Sequence, residues 1–257
     1  MCEIQEKTRI GCIIEIMKRL ILLYGLPRSG STYIQHPLAA YLEQQFQYRH
    51  LHEYFNLAFQ FVEKEKELSV ENPAGLPRKS LIDLQQSELI VQKKERLKNL
   101  LGSKDKYFFK VLGFQLMPEA FDQLAGATQI VFCERRDRWQ NFLSYLISEN
   151  TYIYYQKGGI DTNSLNIQAS YSQSLNFKYQ AEFLRYLQAK NKQSIVIYFE
   201  DFLEQGGEYL KRLGYDQPFD WDSTYYPEKQ NKFSKESAFS NIEEIKQWYR
   251  ELNIENL

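Results

Sequence analysis

The chain has 257 residues, of which 43% are hydrophobic and 25% charged, as expected for a globular domain that buries a core. Its 32 basic and 33 acidic side chains leave a net charge of −1, so no overall positive field attracts nucleic acid or an anionic membrane. The longest apolar run, Leu20–Leu26, is too short to span a bilayer, and we expect no membrane insertion. The cysteines have no metal-binding spacing, which indicates a reducing, cytoplasmic compartment; they are Cys2, Cys12 and Cys133.

Short apolar runs along the chain predict β-strands, and the stretches between them predict helices. The predicted strands are Arg19–Tyr24, Gln47–Leu51, Tyr107–Leu112, Gln129–Cys133 and Ser194–Phe199. The predicted helices are Ser31–Gln47, 53–68, 80–101, 137–149, 176–191, Glu200–Leu213 and Asn241–Leu252. This alternation predicts an α/β fold with a central parallel sheet of about five strands flanked by helices, and with sites at the carboxyl ends of the strands. Residues 18–257 are predicted to form this single domain, and residues 1–17 a dispensable extension.

A glycine-containing turn follows the first predicted strand and leads into the first predicted helix. It reads Gly25-Leu26-Pro27-Arg28-Ser29-Gly30-Ser31-Thr32. Such a turn gathers backbone N–H groups around one point, and the helix dipole adds about half a positive charge there, so a phosphate or sulfate is stabilised. The hydroxyl groups of the turn supply further hydrogen-bond donors; they belong to Ser29, Ser31 and Thr32. The Gly25–Thr32 loop is therefore a predicted anion site of P-loop type.

The position of the basic residue distinguishes this loop from a nucleotide-hydrolysing one. A Walker A loop carries a lysine where this chain has Ser31, and that lysine reaches the β- and γ-phosphates. Here the basic residue is Arg28, inside the loop. The usual clamp on a γ-phosphate is therefore missing, which argues against an ATPase or a kinase.

The stretch Pro27–Thr32 resembles the 5′-phosphosulfate loop of the sulfotransferases, usually Pro-[Arg/Lys]-Ser-Gly-Thr-Thr, and most of all the small bacterial and viral-type members. The resemblance implies transfer of a sulfuryl group from 3′-phosphoadenosine 5′-phosphosulfate (PAPS) to a hydroxyl or amine of a carbohydrate or small metabolite, with no metal required. It also implies that Arg28 stabilises charge on the bridging oxygen of the leaving phosphate. Ser31 replaces the more usual Thr and keeps the hydroxyl.

A second motif after the strand Gln129–Cys133 matches the same family. Sulfotransferases hold the 3′-phosphate with an Arg at a strand end and a Ser eight residues later, and Arg136 and Ser144 have that spacing. Arg135 is a competing candidate for the phosphate. Arg138 stands where the family usually has Pro, which leaves the geometry of the turn open.

Transfer to a hydroxyl is helped by a base, and the resemblance implies Glu53. The segment Glu53-Tyr54-Phe55-Asn56 resembles Glu-[Tyr/Phe]-Phe-Asn of one bacterial sulfotransferase group, in which that Glu is the proposed base. His52 is the second candidate, and a third interpretation assigns the role to neither residue. His50 and His52 are expected to face opposite sides of their strand, and His36 is interpreted as a residue of the helix surface or packing.

Further basic residues are candidates for contact with an anion. Lys110 is a charge inside an apolar strand, which indicates either an anionic ligand or a structural ion pair. Three lysines near the C-terminus resemble the basic region that covers the nucleotide in sulfotransferases, without a fixed motif; they are Lys229, Lys232 and Lys235.

Two other functions remain open at this point. A P-loop kinase or NTPase is favoured by strands that end in an acid, namely the strands that run to Glu134 and Asp201. A protein that binds 3′-phosphoadenosine 5′-phosphate (PAP), the nucleotide left after PAPS gives up its sulfuryl group, could also lack catalysis. Such a protein would keep the loop and lack the transfer step.

The expected partners are PAPS or PAP and a hydroxyl-bearing acceptor. The sequence carries no signal for the oligomeric state.

Overall fold

The computed structural model describes residues 18–55, 86–116, 118–125, 128–151, 162–192, 194–221 and 234–257. The segment 1–17, predicted to be dispensable, lies outside these residues. So do Lys229, Lys232 and most of the helix predicted over 53–68. None of the helices in the described ranges is long and apolar enough to cross a membrane.

The described residues contain one five-stranded parallel sheet. Its strands are β1 (Leu20–Gly25), β2 (Arg49–His50), β3 (Tyr107–Leu112), β4 (Thr128–Glu134) and β5 (Ile195–Tyr198). Their order across the sheet is β2-β3-β1-β4-β5, and every neighbouring pair is parallel. The predicted α/β fold and central parallel sheet are therefore confirmed. Because β1 lies in the middle, the loop that follows it opens at the centre of the carboxyl edge.

Helices cover both faces of the sheet. They are α1 (Ser31–Phe46), α2 (Gln86–Gly102), α3 (Pro118–Ala125), α4 (Arg138–Thr151), α5 (Tyr171–Lys190), α6 (Phe199–Gln205), α7 (Gly207–Arg212) and α8 (Ile242–Glu251). Alternate residues of β1 enter two separate cores, as the period of two in a strand requires. Leu22 lies in the core that includes α3, α4 and α5, whereas Leu23 lies in the core that includes α1.

Some helix predictions were wrong in their extent. The helix predicted over Glu200–Leu213 is two helices, α6 and α7, because the backbone at Gly206 has a φ of 55° and breaks the helix between them. Helix α5 begins at Tyr171 because Ser170 caps it and accepts a hydrogen bond from the Gln173 N–H. Helix α3 was not predicted, and residues 53–55 form a bend and turn.

The central strand is the part of the core where a cavity should cost most. Leu22 is fully buried on β1, between β3 and β4. We predict that Leu22→Ala lowers the free energy of unfolding by about 2–5 kcal/mol, because it removes apolar contacts and leaves a cavity. Leu203→Ala, at an exposed leucine of α6, should change the free energy by less than about 0.5 kcal/mol. Urea unfolding measures both, and equal losses would contradict this description of the core.

Candidate anion-binding site

The Gly25–Thr32 loop has an unusual backbone. The Ser29 N–H donates to the Leu26 carbonyl at 3.1 Å, which closes a tight turn. Arg28 has a φ of 65°, in the left-handed region that non-glycine residues rarely adopt, and Gly30 has a φ of 87°. Helix α1 then begins at Ser31, so its free N–H groups lie at the end of the loop.

Gly30 has a steric role as well as a conformational one. A Cβ atom at this position would come within 2.1 Å of the Phe199 ring. Phe199 is the first residue of α6, directly after β5, and its ring also packs edge-on against Tyr33 of α1. The glycine therefore lets α6 lie directly against the loop.

The β4–α4 segment holds the loop on both sides of Arg28. On one side, the Ser29 hydroxyl donates to the Cys133 Sγ at 3.6 Å, and the thiol donates to the Ser29 carbonyl at 3.6 Å. On the other side, the Asn141 Nδ2 donates to the Pro27 carbonyl at 3.0 Å. Burial raises the pKa of Cys133 to about 12, so its thiol stays protonated. The Ser29 hydroxyl thus anchors the loop to β4, and Ser31 beside it is also buried.

A buried lysine connects the loop to the segment after β2. The Lys110 side chain is 2% exposed, and its ammonium donates to the Thr32 hydroxyl at 3.1 Å. The same ammonium lies 2.8 Å from the Glu53 Oε1. The Gln115 Nε2 donates to the Glu53 Oε2 at 3.1 Å. The structural ion pair considered for Lys110 is therefore present, and it brings Glu53 next to the first turn of α1.

The histidines after α1 gather beside this lysine. The rings of His50 and His52 lie 4.0 Å apart, so the expectation that they face opposite sides was wrong. Residues two apart in an extended segment share a face, and the Lys110 N–H still pairs with the His52 carbonyl at 2.8 Å. Burial, followed by the positive charges of Lys110 and His52, lowers the pKa of His36. His36 is thus part of the same cluster.

The two residues predicted to hold a 3′-phosphate have different surroundings. The Arg136 guanidinium forms two hydrogen bonds with the Asp201 carboxylate, at 2.9 and 2.6 Å, and lies 4.0 Å from the centre of the Tyr198 ring. Ser144 is buried in α4. Among the contacts of the described residues, none joins Arg136 to Ser144.

The competing candidate, Arg135, contacts an aromatic ring that lies beside the loop. Its guanidinium stacks over the Phe199 ring at 4.7 Å from the centroid, and that ring packs against Gly30. Burial lowers the pKa of Arg135, which the negative charge of Glu200 partly offsets. Its Nε is buried without a hydrogen-bond partner among the described residues. Lys235, one of the three C-terminal lysines, instead donates to the Gln140 carbonyl at 3.0 Å.

The acids at the strand ends already have basic partners. Glu134 is 2% exposed, and it pairs with Arg138 at 2.5 Å and with Arg185 at 3.3 Å. Asp201 lies beyond the end of β5 and pairs with Arg136. In the described part of the chain, no group of three or more His, Cys, Asp or Glu side chains is arranged to hold a metal ion.

Sequence reasoning missed two residues of this site. Asn141 lies in the first turn of α4, and Gln115 follows β3 in a single 3₁₀ turn. Neither belongs to a motif. Each contributes through a hydrogen bond to a residue that is distant in sequence, Asn141 to Pro27 and Gln115 to Glu53. The position of Gln115 five residues after Lys110, beyond the end of the same strand, was the only available signal.

A comparison of the chain with protein-family models found no match, and a search of curated proteins found none either.

The histidine cluster leads to a prediction about stability and pH. Burial, with the positive charges of His52, His36 and Lys110, lowers the pKa of His50 from 6.5 to about 3. The His50 Nε2 lies 2.6 Å from the Gln35 amide nitrogen, a donor, so it must accept that hydrogen bond in its neutral form. Between pH 3 and pH 6.5 the unfolded chain therefore binds a proton that the folded protein excludes.

We predict that the free energy of unfolding rises with pH across this interval, and that His50→Gln flattens the rise. Loss of the contact with Gln35 also lowers the free energy of unfolding of the variant, but by the same amount at every pH. Only the loss of the His50 proton changes how the free energy depends on pH. Urea unfolding at several pH values provides the measurement. Equal slopes in the two proteins would rule out a neutral, buried His50.

Proposed function

We propose that this chain is a sulfotransferase that moves a sulfuryl group from PAPS to a hydroxyl or amine of an acceptor, either a carbohydrate or a small metabolite. The observation that carries the proposal is the Lys110 bridge, which joins Thr32 of the Gly25–Thr32 loop to Glu53. A sulfuryl transferase needs an anion-binding loop and a base at one place. These parts come from separate segments, and they meet at the carboxyl edge of the sheet.

The proposed step is a direct displacement at sulfur. The acceptor oxygen or nitrogen forms a bond to the sulfur while the bond from sulfur to the bridging phosphate oxygen breaks, and PAP leaves with that electron pair. Glu53 takes the acceptor proton, and His52 is the second candidate for this role. The Arg28 guanidinium stabilises the charge that develops on the bridging oxygen. This step requires no metal ion.

The contacts of Arg135 and Arg136 bear on which of them binds the 3′-phosphate of the nucleotide. Arg136 is already held by Asp201, so its use as a phosphate ligand would require that pair to open or to share its donors. Arg135 stacks on Phe199 beside Gly30 and has an unused buried Nε. We therefore place Arg135 ahead of Arg136 as the ligand of the 3′-phosphate, with Ser144 retained as its proposed partner.

The kinase or NTPase alternative receives less support from the same geometry. The acid that ends β4, Glu134, is buried between two arginines, and Asp201 is bound to a third. Ser31 occupies the position of the Walker lysine and is buried. A γ-phosphate would therefore lack its usual lysine, and the acids at the ends of the strands would have to exchange partners.

One observation favours a PAP-binding protein without transfer activity. Both Glu53 carboxylate oxygens already accept a hydrogen bond, one from Lys110 and one from Gln115. Each oxygen keeps a second lone pair, so proton transfer from an acceptor is still open to it. Turnover separates these two functions, whereas PAP binding does not.

The proposed location is the cytoplasm. Cys133 is a free buried thiol whose sulfur contacts Ser29 of the loop, which suits a reducing compartment.

The choice of nucleotide gives the first functional prediction. We predict that PAP raises the melting temperature, whereas ATP with Mg²⁺ does not, because the loop has no lysine for a γ-phosphate. At about 100 times its Kd, PAP should add about 2.7 kcal/mol of stability. Thermal-shift measurements with each nucleotide provide the test. A melting temperature raised by ATP with Mg²⁺ and unchanged by PAP would contradict the sulfotransferase proposal.

The roles of Arg28 and Glu53 predict different kinetic losses. Arg28→Ala should lower kcat by about 10²- to 10³-fold, because one donor to the developing charge is lost. Glu53→Gln should lower kcat by about 10²- to 10⁴-fold and keep PAP binding, because the Gln side-chain oxygen can still accept a hydrogen bond from the Lys110 ammonium. Transfer from labelled PAPS measures kcat, and calorimetry measures PAP affinity.

Two exposed residues provide matched controls, Arg212→Ala and Glu43→Gln, which should keep wild-type turnover. Full turnover in Glu53→Gln would remove Glu53 as the base and leave His52 as the candidate.

A further inference from the structure

Asn141 is fully buried, and its side chain contacts the loop from a different element. Its Nδ2 donates to the Pro27 carbonyl, and a carbonyl can only accept, so the amide nitrogen must face the loop. The Asn141 Oδ1 is buried as well and has no hydrogen-bond partner among the described residues. A buried acceptor without a donor is costly, and such a group calls for an explanation. Among the described residues, the Asn141 side chain therefore forms its hydrogen bond through Nδ2 alone, with the Pro27 carbonyl as acceptor.

The contact fixes the direction of one peptide group. All described peptide bonds are trans, so the Arg28 N–H points opposite to the Pro27 carbonyl. Because that carbonyl points towards Asn141, the Arg28 N–H points away from α4. A flip of this peptide would turn the N–H towards α4 and place a carbonyl oxygen where the donor had been.

Arg28 is held between two anchors that belong to one rigid segment. Pro27 precedes it and is bound by Asn141, whereas Ser29 follows it and is bound by Cys133. Between them Arg28 adopts a φ of 65°, which a non-glycine residue leaves unless its neighbours are fixed.

The start of α4 is itself fixed to its surroundings. The Asp137 carboxylate accepts from the Gln140 N–H at 2.9 Å, and Lys235 donates to the Gln140 carbonyl. Arg138 pairs with Glu134 at the end of β4. Asn141 therefore projects from a turn that has little freedom to move.

We infer that Asn141 is a positioning residue of the anion loop: its amide sets the Pro27–Arg28 peptide so that the Arg28 N–H and guanidinium are aligned for a phosphosulfate group. This inference rests on the proposed function. Asn141 acts through Pro27 and Arg28, so its removal changes affinity and transfer more than it changes folding.

The test is PAP binding by calorimetry, with the unfolding free energy measured in parallel. Asn141→Leu has a similar volume and removes both the donor and the unpaired Oδ1. We expect unfolding free energy close to wild type and PAP binding weaker by roughly tenfold, the effect of one lost hydrogen bond. The matched control is Asn150→Leu, on the same helix, where the amide bonds Leu146 and Gln173 and not the loop. It should keep wild-type affinity.

A second variant keeps the inference testable if Asn141→Leu does not fold. In Asn141→Asp, an ionised carboxylate would face the Pro27 carbonyl and repel it, whereas the protonated acid could donate to that oxygen in place of the amide. The ratio of variant to wild-type PAP affinity should therefore rise as pH falls. The ratio is the required readout because other groups of the protein, such as His36 and His50, change protonation with pH in the variant and the wild type alike. A residue with only a packing role would give a constant ratio.

The outcomes separate the two proposals. If wild-type protein binds no PAP, the proposed function fails, and the role of Asn141 fails with it. If the wild type binds PAP and Asn141→Leu binds it within twofold, only the role of Asn141 is overturned. A constant affinity ratio for Asn141→Asp across pH overturns it as well.

Discussion

The contact on which the site depends most is that of the buried Lys110 ammonium with Glu53 and Thr32. A charged amine that is 2% exposed must be compensated, and it has one carboxylate at 2.8 Å and one hydroxyl at 3.1 Å. These two partners belong to different segments, so compensation of the charge also sets their distance from each other. Thr32, at the end of the loop, is in this way held close to Glu53 in the segment that follows β2.

A second constraint acts from the opposite side of the loop. Phe199 occupies the space that a side chain at Gly30 would need, and Asn141 and Cys133 hold the residues on either side of Arg28. The loop is therefore enclosed between β3, β4, α4 and α6. An anion site made of backbone N–H groups gains from such rigidity, because the donors then need no reorganisation when the ligand binds.

The sheet and the loop could be predicted from the sequence because both are local signals. Continuous apolar runs such as β1 and β4 identify buried parallel strands, and a strand, a turn and a helix in succession identify the loop. The break at Gly206 was not predicted, because a glycine within a helical pattern is often tolerated.

The site was predicted less completely because its contacts are long-range. Asn141 meets Pro27 across 114 residues, and Arg136 meets Asp201 across 65, so no spacing rule connects them. The expectation for His50 and His52 failed for a different reason. Side chains two residues apart in a strand point to the same face, and the rings of His50 and His52 accordingly lie on one side.

The central claim is that the loop and Glu53 together transfer a sulfuryl group, and a transfer assay with PAPS labelled in the sulfuryl group tests it most directly. Wild-type protein would be incubated with labelled PAPS and a broad mixture of hydroxyl- and amine-bearing carbohydrates and metabolites. We expect a labelled sulfated product with release of an equal amount of PAP, and both should form about 10²- to 10⁴-fold more slowly when Glu53→Gln replaces the wild type. Binding of PAPS with no labelled product from any acceptor would contradict the central claim and leave a nucleotide-binding protein.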